Sequence, residues 1–117
     1  MRAAIVLAMT LIAASALAQA PSRDTRLLQL AETLGRQHYL RTLCNGADDQ
    51  TWRTRMARLR DLETEADPER LEAAFNRGFT ALARSLPVCG AAARAEAAAN
   101  ARRGAALAAA IAENRSH

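Results

Sequence analysis

Across residues 19–117 apolar side chains recur every three to four positions, and nowhere do they alternate with polar ones. This rhythm narrows the possible folds more than any other feature. A strand exposes its two faces with period two, whereas a helix carries one apolar stripe with a period near 3.6. β-branched residues are also scarce. The chain is therefore expected to be all-α, with four segments carrying the period.

The first segment runs from about Asp24 to Leu43. Leu27, Leu30, Ala31, Leu34 and His38 share one stripe, with Arg26, Gln29, Thr33, Arg36 and Gln37 off its centre. Asn45-Gly46 supplies the stop, since both residues tolerate the left-handed conformation that ends helices. The second segment is expected to start at Asp48 or Asp49 as cap and to line its apolar side with Trp52, Met56, Leu59 and Ala66, with an Asp49–Arg53 ion pair on its surface. In the third, Asp67-Pro68-Glu69 gives an N-cap, a proline at the first helical position and an acid in the first turn. Leu71, Phe75, Gly78, Phe79, Leu82 and Leu86 follow at helical spacing before Pro87. The fourth starts after Cys89-Gly90 and continues to about Asn114. It is alanine-rich, and Leu107 and Ile111 are its only bulky apolar residues.

Tyr39, Trp52, Phe75 and Phe79 all lie in the first three segments, which places the core there. The fourth helix then packs through alanines or frays. Short connections favour antiparallel neighbours, so the expected architecture is a compact bundle of about four helices. Gly35 and Gly78, inside helices where glycine costs up to ~1 kcal/mol, point to a close helix crossing. Asn76 is expected to cap or cross-link helices.

The N-terminus has a different character. Arg2 is followed by an apolar run over residues 3–14 and then by Ala16-Leu17-Ala18, the small-x-small pattern read by signal peptidase. The run is shorter than the ~20 residues that a membrane-spanning helix needs. Residues 1–18 are thus expected to form a cleaved signal peptide, with residues 19–117 as a single helical domain. Cleavage after Ala20 would leave Pro21 at the cut, which suits the peptidase poorly. The expected localisation is periplasmic or secreted, with no transmembrane segment after cleavage.

Two cysteines, Cys44 and Cys89, stand 45 positions apart. An even count in an exported chain favours a disulfide, here joining the end of the first helix to the start of the fourth. There is no C-x-x-C for thioredoxin-like chemistry and no C-x-x-C-H for haem. With only His38 and His117 as further soft ligands, no metal site and no cofactor are expected.

Several runs taken in order carry a likeness. They are Leu34-Gly35-Arg36-Gln37-His38-Tyr39-Leu40-Arg41-Thr42-Leu43-Cys44, then Trp52-Arg53 and Met56, then Ala74-Phe75-Asn76-Arg77-Gly78-Phe79, then Cys89, Gly104, Leu107 and Ile111. The set resembles a family of small exported alphaproteobacterial proteins catalogued as a domain of unknown function. The resemblance implies that the two cysteines belong to one framework, and it implies no activity or catalytic residue. The chain departs from the family pattern in the fourth helix, where alanines stand at positions expected to be bulkier or charged.

All 16 basic residues are arginine, against 12 acids, for a formal net charge of +4. This surplus is too small to call for nucleic acid. Aromatic interleaving for single strands is absent, and export removes the chain from genomic DNA. Arg53, Arg55, Arg58 and Arg60 form the strongest electrostatic feature, a candidate footprint for phosphate, anionic glycan or lipid headgroups. The plainer reading is a solvated face paired with Asp61, Glu63 and Glu65. Arg41 is either an anion ligand or, more plainly, the partner of Glu63 or Glu72. His38, on the apolar stripe, is either a base or a core histidine bonded to a carbonyl. Trp52, Phe75, Asn76 and Gly78 are expected to be structural.

The motifs of serine hydrolases, zinc proteases and phosphate loops are missing. The favoured expectation is a non-enzymatic periplasmic interaction protein whose arginine-rich face meets an envelope protein or anionic envelope polymer. The alternatives are a small hydrolase or lyase using His38, and a carrier of a small apolar ligand.

Overall fold

The computed structural model describes residues 21–115. The expected signal peptide, its cleavage point and His117 lie outside them. Among the described residues there are four helices and no strand. They are α1 (Arg23–Asn45), α2 (Thr51–Leu62), α3 (Pro68–Ser85) and α4 (Ala91–Arg115).

Their boundaries follow local chemistry. Ser22 caps α1 by accepting from the Thr25 amide, and Gly46 ends it with a φ of 101°, which favours glycine. Asp67 accepts from the Glu69 and Arg70 amides and Pro68 opens α3, as its sequence demands. α2 starts later than expected. Gln50 holds the cap position without a side-chain bond, and Asp49 instead accepts from the Thr51 amide at 3.2 Å. Ala66 falls beyond the end of α2, in the link to α3, yet it still packs on the core.

α1 is the hub. The other three helices all pack on it, α2 and α3 share only a narrow seam, and among the described residues the α4 backbone comes close only to α1. The main apolar cluster joins Leu27, Leu34, Met56, Leu71, Ala74 and Phe75, with Ile111 of α4 closing one end. A second cluster of Tyr39, Leu40, Leu82 and Ala93 lies towards the C-terminal end of α1. The Tyr39 hydroxyl donates to the Leu86 carbonyl there, and its ring meets Phe79 edge-on at 5.3 Å. The core is thus centred on the first three helices, and α4 docks along its length.

The crossing of α1 and α3 is a backbone-to-backbone contact. A Cβ built on Gly35 would lie 1.9 Å from the Phe75 carbonyl oxygen, and one on Gly78 would lie 2.0 Å from that of Glu32. Each glycine thus makes room for the main chain of the opposite helix.

The α1–α4 joint works differently. Asn100, fully buried, donates through Nδ2 to the Thr33 carbonyl at 2.8 Å and to Gln37 Oε1 at 3.0 Å. Gln37 Nε2 returns a bond to the Ala97 carbonyl at 3.2 Å. Thr33 and Gln37, off the centre of the apolar stripe, are therefore buried, because α4 covers a second face of α1. The Cys44–Cys89 disulfide ties the last turn of α1 to the lead into α4.

Candidate functional site

The arginines of α2 split into two pairs. Glu72 on α3 holds Arg53 at 2.6 Å and Arg60 at 3.4 Å, so these two cations fasten α2 to α3. The expected Asp49–Arg53 pair does not form. Arg55 and Arg58 have no carboxylate partner among the described residues. The Arg55 guanidinium instead lies 4.2 Å over the Trp52 ring, an arrangement that fixes its direction.

Arg41 pairs with neither Glu63 nor Glu72. It meets Asp49 at 3.1 Å. The reason is antiparallel packing. The end of α2 lies beside the start of α1, so the buried Glu63 accepts from Arg23 through both carboxylate oxygens, at 2.8 and 2.9 Å. Arg41, near the other end of α1, faces the loop that leads into α2. Asn45 and Thr51 also donate to Asp49, and these bonds, with Arg41 adding to them, hold its carboxyl well below the usual carboxylate range.

His38 is half-buried, with its ring 5.6 Å from that of Phe75 and 5.7 Å from that of Phe79. Its Nδ1 is buried and has no hydrogen-bond partner among the described residues, so the expected bond to a carbonyl is not made. Burial first, then the charge of Arg53, pushes the imidazole below its ordinary pKa, with Asp49 opposing weakly. His38 opens into a shallow cleft of about 230 Å³ shared with Arg53, Phe75, Asn76 and Phe79, and no carboxylate lines it. Asn76 is exposed at this rim and makes no bond to another helix among the described residues, in contrast to its expected cross-linking role. Asn100 takes that role.

A larger groove of about 340 Å³ separates α2 from α4. Leu30 and Leu34 of α1 form its floor. Trp52, Leu59 and Leu62 stand on the α2 side, and Ala101, Gly104 and Ala105 on the α4 side. Arg55 and Arg58 line it too, and no acidic residue does. Trp52 is only half-buried as a result, and its Nε1 has no hydrogen-bond partner among the described residues. Phe75 and Gly78, by contrast, are buried.

Two contributors to this groove escape a reading of the sequence, namely the small residues of α4 and Asn100 at its base. A signal for them does exist. Ala93, Ala97, Asn100, Gly104, Leu107 and Ile111 follow one another at helical spacing, and Asn100 interrupts an otherwise alanine-rich run. Among the described residues no cluster of histidine, cysteine or acid could hold a metal ion, and no helix is long and apolar enough to cross a membrane.

Fold and site together define a disulfide-bridged, all-α domain with an arginine-edged groove over its central helix. The chain belongs to the family described as Protein of unknown function (DUF2385), whose model matches residues 22–114. No curated protein and no solved structure matches it.

Proposed function

We propose that this protein is an exported, non-enzymatic binding module that presents the α2 arginines to an anionic component of the envelope. The observation that carries the reading is the division of those arginines. Glu72 neutralises Arg53 and Arg60, while Arg55 and Arg58 stand without a carboxylate beside an apolar groove. Two cations side by side on one helix edge, without a carboxylate and against an apolar groove, favour an external anion. The signal-like residues 1–18, the disulfide and the likeness to exported alphaproteobacterial proteins support the periplasm or the medium as its compartment.

The test is native capture from envelope extract with the wild type and with Arg55→Glu/Arg58→Glu. A specific companion is expected with the wild type and not with the variant. A solitary monomer, or recovery untouched by the reversal, overturns the reading.

A second reading, a small hydrolase or lyase built on His38, is favoured by one observation, the unpartnered imidazole nitrogen beside an open cleft. The cleft lacks a carboxylate to orient the ring, which places this reading second. Hydrolysis of an ester panel, abolished by His38→Gln, would move it first.

A further inference from the structure

We infer that the groove between α2 and α4 binds a single-chain anionic amphiphile, with its alkyl chain along the α1 floor and its headgroup on Arg55 and Arg58. The inference rests on the arginine edge being the binding side, and it names the chemistry that edge selects.

The shape comes from what α2 and α4 fail to do. They flank α1 with no close backbone approach to each other among the described residues, and α4 presents alanine and glycine where a bulky side chain would fill the gap. Leu30 and Leu34 close its floor and are almost wholly buried, and the half-buried Leu59 adds apolar surface on the α2 side. Leu62, 62% exposed, carries the apolar surface to the open end. Each methylene group laid on this apolar lining leaves water, the same driving force that builds the core.

The size limits the occupant. About 340 Å³ lies at the small end of ligand pockets. One turn of a helix ~10 Å across already occupies roughly 420 Å³, so a helical partner would sit on the groove and not in it. A single alkyl chain fits, whereas a diacyl lipid would leave one chain in water.

The charge chooses the headgroup. Arg55 and Arg58 are three residues apart on α2, hence neighbours on one helix face. Stacking on Trp52 orients the Arg55 fork in advance, so binding costs less side-chain entropy. With no acid in the lining, a phosphate or carboxylate head meets two cations and no repulsion. A neutral alcohol would use the floor and leave the arginines idle. Inorganic phosphate would use the arginines and leave the floor wet.

Trp52 is the only tryptophan of the chain and stands in the groove wall, so its fluorescence reports occupancy. The disulfide-bonded protein is titrated with dodecyl phosphate below its micelle concentration, and in parallel with dodecanol and inorganic phosphate. Dodecyl phosphate is expected to give a saturable shift of the emission. Arg55→Gln and Arg58→Gln should each weaken it about tenfold. Ala105→Phe, which fills the groove from an exposed position on α4 and leaves both arginines in place, should abolish it. Ala101→Leu serves as a second filling variant, and circular dichroism checks that each is folded.

Equal affinity for dodecanol overturns the headgroup assignment, and the same shift with inorganic phosphate overturns the chain assignment. Absence of saturation, or binding that survives both filling variants, overturns the inference entirely. The binding-module reading fails separately. If dodecyl phosphate does not bind but an envelope companion is still lost on Arg55→Glu/Arg58→Glu, the amphiphile falls and the module stands. If dodecyl phosphate binds as described and no companion is captured, the groove stands and the module falls.

Discussion

α1 is gripped from two sides in two physical manners. Against α3 the contact is steric. Gly35 and Gly78 let two backbones touch, and apolar side chains fill the space on either side. Against α4 it is directional. Small residues bring the helices together, and the Asn100–Gln37 pair fastens them by hydrogen bonds in a buried setting. A steric joint tolerates no added atom, while a directional one tolerates volume at its margins and no loss of a partner. The difference also explains the groove, because a helix that docks through alanines along one stripe leaves its flank open towards α2.

The largest expected effect comes from the clamp on the weaker joint. Cys44→Ser/Cys89→Ser opens a loop of 45 residues, and chain entropy then removes about 4 kcal/mol. Hydrogen exchange should show protection lost first in α4, which has only α1 to hold it. Uniform loss across all helices would mean that α4 is no weaker than α3. Non-reducing mass analysis, with two hydrogens fewer than the free thiols, first checks that the bond is present.

Next comes the steric joint. Gly35→Ala or Gly78→Ala should each cost about 3 kcal/mol in denaturant unfolding despite alanine's better helix propensity, because the new methyl meets main chain that cannot rotate away. A stabilised variant would show that the helices separate freely.

Asn100→Ala should cost about 2 kcal/mol by the same measurement, since it leaves Gln37 Oε1 buried without its donor. A change near zero would transfer the joint's strength to its small residues.

Gly104→Ala sharpens the contrast. It is the same substitution as at Gly35, but here the added carbon meets only the Thr33 Cγ2 methyl at 3.3 Å. The gain in helix propensity offsets the contact, and the net change should stay within about 1 kcal/mol.

The smallest effect is a pH dependence at His38. Its folded pKa is lowered, so the unfolded chain binds the proton more readily. The contribution of His38 is complete above the ordinary value of 6.5 and is lost as pH falls below it towards the folded pKa. Thermal melts from pH 7.5 to about pH 5 should show a decline that His38→Gln reduces. A decline that is unchanged in the variant would assign it to other groups.

Much of this molecule is legible residue by residue. Asp67-Pro68-Glu69 opens α3 and Asn45-Gly46 closes α1 because caps and turns are made by neighbours in sequence. The disulfide follows from an even cysteine count behind a signal-like N-terminus. Ion-pair partners are another matter. Arg41 has Asp49, Glu63 and Glu72 within the span of a few turns, and the antiparallel path of α2 decides among them. Thr33 and Gln37 look like surface residues until α4 covers them. The two arginines of α2 that lack a carboxylate could not be told from the two that have one, because Glu72 sits on a different helix.

The sequence by itself determined the number and kind of elements and the ends of α1 and α3, since each depends on a residue's own backbone preference or on partners within a few positions. Two lone cysteines and two helical glycines announced the staple and a close crossing. Only the tertiary structure decided which charges remain unpaired, which amide is buried and where the groove lies. Those outcomes depend on how helices distant in the chain turn their faces towards α1, and a periodic pattern leaves that rotation undetermined.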